Sequence, residues 1–135
     1  MQLVLIVRGL AKGRRQTFID EIKEAYEVDD FVQINTPAPK DKVSKEVLKT
    51  LNIKAFDSFK ENIALGKELI IVNNTNTKRY HYLQYIEYAQ ANNYLVAIVI
   101  IPWNDMSDSK LVIDGAGVKP AGAYKTYRRE FQWEF

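Results

Sequence analysis

Four cationic side chains crowd one short segment, Arg8-Gly-Leu-Ala-Lys-Gly-Arg-Arg-Gln-Thr-Phe18, lying between an apolar run and a helical pattern. Guanidinium groups fork onto phosphate oxygens, and a helix start presents unpaired backbone N–H groups to anions. Gly9, Lys12, Gly13, Arg14, Arg15 and Thr17 therefore form a candidate phosphate or anion site. The competing reading is solvated loop charge, but cations at a helix start cost roughly 0.3–1 kcal/mol, which argues for a compensating use. A second polar cluster, Asn73-Asn-Thr-Asn-Thr77, follows another apolar run and makes Asn73, Asn74 and Asn76 candidates. Its simpler role is a turn, with Thr75 or Asn76 capping the next helix. Tyr80, Tyr82, Tyr85, Tyr88 and Tyr94, interleaved with Lys78, Arg79 and His81, can be read as a base-stacking surface, although helix-spaced core explains most of them better.

Composition removes other chemistries. The chain has 135 residues, no Cys, one His and a net charge of +2. That length supports a single domain, 1–135. Without cysteine there are no disulfides or thiol nucleophiles, and one histidine cannot make a two-histidine metal site. No catalytic residue and no metal ligand is assigned. The small net charge confines any nucleic-acid attraction to a local patch. The longest apolar run, Tyr94 to Pro102, is far short of the roughly 20 residues a membrane span needs. Leu3 to Val7 is too short for a signal-peptide core, so a cytoplasmic protein without membrane association is expected.

The elements that must position these residues follow from periodicity. Leu3-Val-Leu-Ile-Val7 reads as a strand buried on both faces, and a helix is expected from Thr17, with Phe18, Ile19, Ile22, Ala25 and Tyr26 on its apolar stripe. Phe31 to Asn35 reads as a second strand, stopped by Thr36-Pro-Ala-Pro39. Val47, Leu48, Leu51, Ala55, Phe59 and Ile63 share a helical stripe that Gly66 terminates, with a possible break at Asn52-Ile53. Strands over Leu69 to Val72 and Tyr94 to Ile101 flank a helix over Lys78 to Asn92, and Ala121 to Phe131 reads as a closing helix. Trp133 and Phe135 end the chain in an apolar patch suited to docking. The alternation predicts an α/β three-layer sandwich, about four parallel strands with helices on both faces. Ligands in such sheets bind beyond the carboxyl ends of the strands, where both polar clusters fall.

Gly9 to Phe18 resembles, without a gap, the Gly-Leu-Pro-Gly-Ser-Gly-Lys-Ser-Thr-Phe loop of the polynucleotide-kinase-like P-loop kinases. Ala64-Leu-Gly-Lys-Glu-Leu-Ile-Ile-Val-Asn-Asn-Thr-Asn-Thr77 is similar to that family's apolar strand running into Asp-Asn-Thr-Asn-Thr. Tyr85, Ala89 and Tyr94 fall on family positions, as do Gly117-Val118 and Tyr124 to Glu130 near the end. The resemblance implies a P-loop NTPase-like fold, and it also implies loss. Arg15 stands at the phosphate lysine and Gln16 at the magnesium hydroxyl, while Lys12 and Arg14 replace two loop glycines. Sliding the register puts Arg14 and Arg15 in those positions and reaches Thr17 one place late. Ile34-Asn-Thr-Pro37 lacks the acid expected after strand two, with Asp29, Asp30 and Asp41 all displaced in sequence. Asn73 replaces the family aspartate, and the lid arginine and histidine positions fall near Ile113 and Ala116.

A catalytically inactive binding protein is therefore expected, a pseudokinase acting through a protein partner or a phosphate-bearing nucleic acid, with no cofactor. The resemblance further implies a phage or viral accessory protein. The alternative is an active kinase of polynucleotide 5′-hydroxyl ends or nucleotides, which would take ATP with magnesium and recruit Asp29, Asp30 or Asp41.

Overall fold

A computed structural model describes residues 2–9, 12–26, 30–35, 45–74, 76 and 79–101. Expectations placed on 36–44 and 102–135, including the closing helix and the aromatic tail, lie outside these residues.

Four strands form a single parallel sheet: β1 (Leu3–Arg8), β2 (Phe31–Asn35), β3 (Leu69–Asn73) and β4 (Leu95–Ile100), in the order β2-β3-β1-β4. Alternation along the central strands divides the interior in two, because successive side chains point to opposite faces. Val4, Ile6, Ile70 and Val72 face one side, where Ala55, Phe59 and Ile63 of α2 (Lys45–Ala64) and Tyr85 and Ala89 of α3 (Leu83–Ala91) cover them. Leu5, Val7, Leu69 and Ile71 face the other, against Phe18, Ile19 and Ile22 of α1 (Lys12–Tyr26). Helices thus cover both faces, which gives the expected three layers. Phe59 is fully buried and meets the Tyr85 ring edge-on at 4.9 Å, joining α2 to α3.

Three local details differ from or refine the sequence reading. α2 is continuous through Asn52 and Ile53, since both lie on its exposed side, where asparagine costs the helix only about 0.5 kcal/mol. Its end is a Schellman motif: Gly66 at φ +72 lets its N–H reach the Ile63 carbonyl while Lys67 N–H reaches that of Asn62. The helix expected from Lys78 is a 3-10 turn, Arg79–His81, followed by α3, whose N-cap is Tyr82 with no side-chain cap bond.

Candidate functional site

The largest departure from expectation lies between β1 and α1. The helix begins at Lys12, five residues ahead of Thr17. A phosphate-binding loop stays unwound because its glycines take positive φ, whereas Lys, Arg and Gln are good helix formers. With Lys12 and Arg14 where the likeness expected glycines, the segment is helical from Lys12 onward. Gly13 lies within it and, among the described residues, only Gly9 and Gly66 of the glycines have positive φ. Thr17 donates its hydroxyl to the Gly13 carbonyl at 2.9 Å, a bond along the helix rather than toward a ligand. Gly13, Arg14 and Thr17 are exposed.

Arg15 goes the other way. It is 5% exposed, and its Nε donates to Asn73 Oδ1 at 2.8 Å while its terminal nitrogen donates to the Gly9 carbonyl. Burial lowers its pKa to about 10, which leaves it charged at neutral pH. From Asn73 the hydrogen bonds continue sideways across the carboxyl edge of the sheet. Asn73 Nδ2 donates to Asn35 Oδ1 at 2.9 Å, and Gln33 Nε2 donates both to Asn35 Oδ1 at 2.8 Å and to Gln16 Oε1 at 2.9 Å. Gln16 in turn donates to Asp20 at 2.9 Å. One guanidinium and four amides therefore join the start of α1 to the ends of β2 and β3. Arg15, Asn73 and Gln16 stood out in the sequence as replacements, and Asn35 lay in the segment lacking an expected acid, but Gln33 was missed; a glutamine inside the apolar β2 run was the available signal.

On the other side of β1, Asn76 is 2% exposed at φ +46, a left-handed conformation that asparagine tolerates. It donates Nδ2 to the Val7 carbonyl at 3.1 Å and accepts Arg8 Nε at its own carbonyl at 2.8 Å. It therefore ties the segment after β3 to β1 instead of capping α3. Asn74 is half-buried just beyond β3. Arg8 is fully buried, its guanidinium 4.8 Å over the Tyr82 ring, and burial lowers its pKa. The Tyr82 hydroxyl is buried without a hydrogen-bond partner among the described residues. Tyr82→Phe keeps the ring beneath Arg8 and removes that group, so urea unfolding should show a stability gain of up to about 1 kcal/mol. A loss larger than that would reveal a partner for the hydroxyl. Tyr82, Tyr85 and Tyr94 are buried, so they offer no stacking surface, while Tyr80 is exposed.

These residues do not fit a magnesium-bound nucleoside triphosphate. Arg15 is spent on Gly9 and Asn73, Gln16 on Asp20 and Gln33, and both ends of the Asn73 amide are engaged. Asn73 is also neutral, and magnesium prefers carboxylate oxygens. Among the described residues no group of three or more His, Cys, Asp or Glu could hold a metal ion. Asp30, one of the acids an active enzyme would recruit, lies at the opposite end of β2, paired with Lys67 Nζ at 3.0 Å and accepting Glu68 N–H at 3.1 Å. Asp29 and Asp41 are outside the described residues.

No protein-family model matches the sequence, and no curated protein matches it. Solved structures do resemble it. A gluconokinase from Sinorhizobium meliloti 1021 superimposes with a TM-score of 0.61 at 13% identity, over 96% of this chain and 74% of that one. A chain of a Pnkp1/Rnl/Hen1 complex gives a TM-score of 0.58 at 13% identity, over 87% of this chain and 40% of that one, so this chain spans well under half of the second neighbour. The likeness is one of fold: a four-stranded parallel sheet with helices, of the P-loop kinase type. Among the described residues no helix is long and apolar enough to cross a membrane.

Proposed function

We propose that this kinase-type fold works by binding a macromolecular partner and does not transfer phosphoryl groups. The observation that carries the reading is Arg15: the cation at the phosphate-lysine position is buried and bonded to the chain's own Gly9 and Asn73. A terminal phosphate entering there would have to displace two hydrogen bonds and unwind a helical turn. The neutral amides at the ends of β2 and β3 point the same way, because an attacking hydroxyl needs a base and Asn35 and Asn73 supply none.

Calorimetric titration with magnesium-ATP tests this reading. The expected result is no binding tighter than about 1 mM. Micromolar binding that disappears in Arg15→Ala would overturn the reading of a closed nucleotide site, and release of phosphate by that same site would make the chain an enzyme. A second reading, a phosphate-bearing nucleic acid as the partner, draws on the exposed Arg14 in the first turn of α1. It requires an affinity for oligonucleotides that weakens with salt and with Arg14→Ala.

A further inference from the structure

A groove of about 530 Å³ runs between α2 and the start of α3, with Gln84 on the α3 side. Its floor is apolar: Phe56 is half-buried, while Leu48 and Ile53 are 39% and 52% exposed. Lysines rim it at both ends, Lys45 and Lys49 at one and Lys60 at the other. The acid in the lining, Asp57, already pairs with Lys60 at 3.4 Å. Lys45 and Lys49 meet no acid among the described residues, so the rim keeps positive charge around exposed aliphatic surface.

We propose that this groove docks an acidic amphipathic helix of a protein partner. The complement of a lysine rim around an aliphatic floor is a segment with leucine-like anchors on one stripe and carboxylates beside them. Lys45 to Lys60 spans about 22 Å at the helical rise, which suits a partner helix of about four turns. Single-stranded nucleic acid fits less well. Phe56 is met edge-on by Tyr85 at 5.2 Å and Tyr88 at 5.9 Å and covered by Lys60 at 5.2 Å, so its ring is not open to a base. Leu48 and Ile53 have no π face on which a base could stack. A second copy of this chain meeting the groove through the same face would set lysine against lysine. The inference names the partner for the binding role proposed above, but it stands on α2 and not on the Arg15 site.

The test uses the full isotope-labelled chain and a capped peptide of about 16 residues, leucine at helical spacing and glutamate between. Amide shifts should perturb 45–60 and 84. Affinity should fall about tenfold in Ile53→Asp and in the Lys45→Glu, Lys49→Glu pair, both at exposed positions that leave the fold intact, and it should weaken with salt. Equal binding of a lysine-for-glutamate peptide would overturn the proposal, as would shifts elsewhere. Tighter binding of oligothymidylate at these residues would replace the peptide with nucleic acid, and self-association abolished by Ile53→Asp would replace it with a second copy. Magnesium-ATP added to the same sample reports separately on the carboxyl edge of the sheet: binding there would overturn the reading of a closed nucleotide site and leave the groove result untouched.

Discussion

Arg15→Ala should lower the free energy of unfolding by about 3 kcal/mol. Two effects oppose each other. Burying a cation without a carboxylate is unfavourable, as the lowered pKa of about 10 reflects, so removing it relieves a desolvation cost. Truncation, however, strips the donors from Asn73 Oδ1 and the Gly9 carbonyl, and each orphaned buried acceptor costs about 1–3 kcal/mol. The lost packing of a nearly fully buried side chain adds to that, so the net loss wins. Arg15→Lys should lose about 2 kcal/mol, because one ammonium does not reproduce the planar fork that serves both acceptors.

The pH dependence follows from the same shift. Arg15 is charged in both states below pH 10, so the difference between wild type and Arg15→Ala should be flat from about pH 5 to 9. Only above the folded value of about 10, and below the higher value of a free guanidinium, does the unfolded chain hold the extra proton, and there the residue's contribution to stability rises with pH. Urea midpoints across that range check both points. A gain of stability in Arg15→Ala would mean that the buried charge dominates and that the side chain is not a structural pin.

Gly9→Ala should cost about 3 kcal/mol, read as a fall in Tm of about 10 °C. A Cβ at Gly9 would lie 2.7 Å from the Ile101 carbonyl oxygen and 3.3 Å from Ile101 Cβ, at a φ of +150 that side chains rarely adopt. The close approach is fixed by the backbone, since Ile101 N–H donates to the Arg8 carbonyl at 2.7 Å, so neither strand end can swing aside cheaply. Gly13→Ala is the matched control. Inside α1 with an ordinary φ, it should stabilise by up to about 1 kcal/mol, where a working phosphate loop would be damaged. Calorimetric melting of the two variants separates the glycine that the fold needs from the one that only interrupts a helix.

The strands were legible because the physics that places them is local. Leu3 to Val7 and Leu69 to Val72 are unbroken aliphatic runs, and their alternation in the sheet follows from a period of two. The Gly66 stop was equally local. The start of α1 was not, because the likeness to a glycine-rich loop suggested an open segment where the residues actually present prefer helix. The site itself was half legible. Asn73 and Arg15 stood out as replacements, yet nothing in a linear reading shows that they bond to each other across 58 positions, or that Asn76 reaches Val7 across 69. Charge hid Arg8 in the same way, because a cation at a strand end reads as exposed until Asn76 and Tyr82 are seen around it.

The order of the sheet also bears on how the chain acquires its structure. β1 is central, yet its neighbours are Leu69–Asn73 and Leu95–Ile100, so an aliphatic segment made early must wait for partners made much later. At ribosomal speeds of about 5–20 residues per second, the interval between Leu3 and its partner Leu95 is roughly 5 to 18 seconds. During that interval the segment has no partner strand on that side, and the sheet is expected to close only once the chain through Ile100 has emerged.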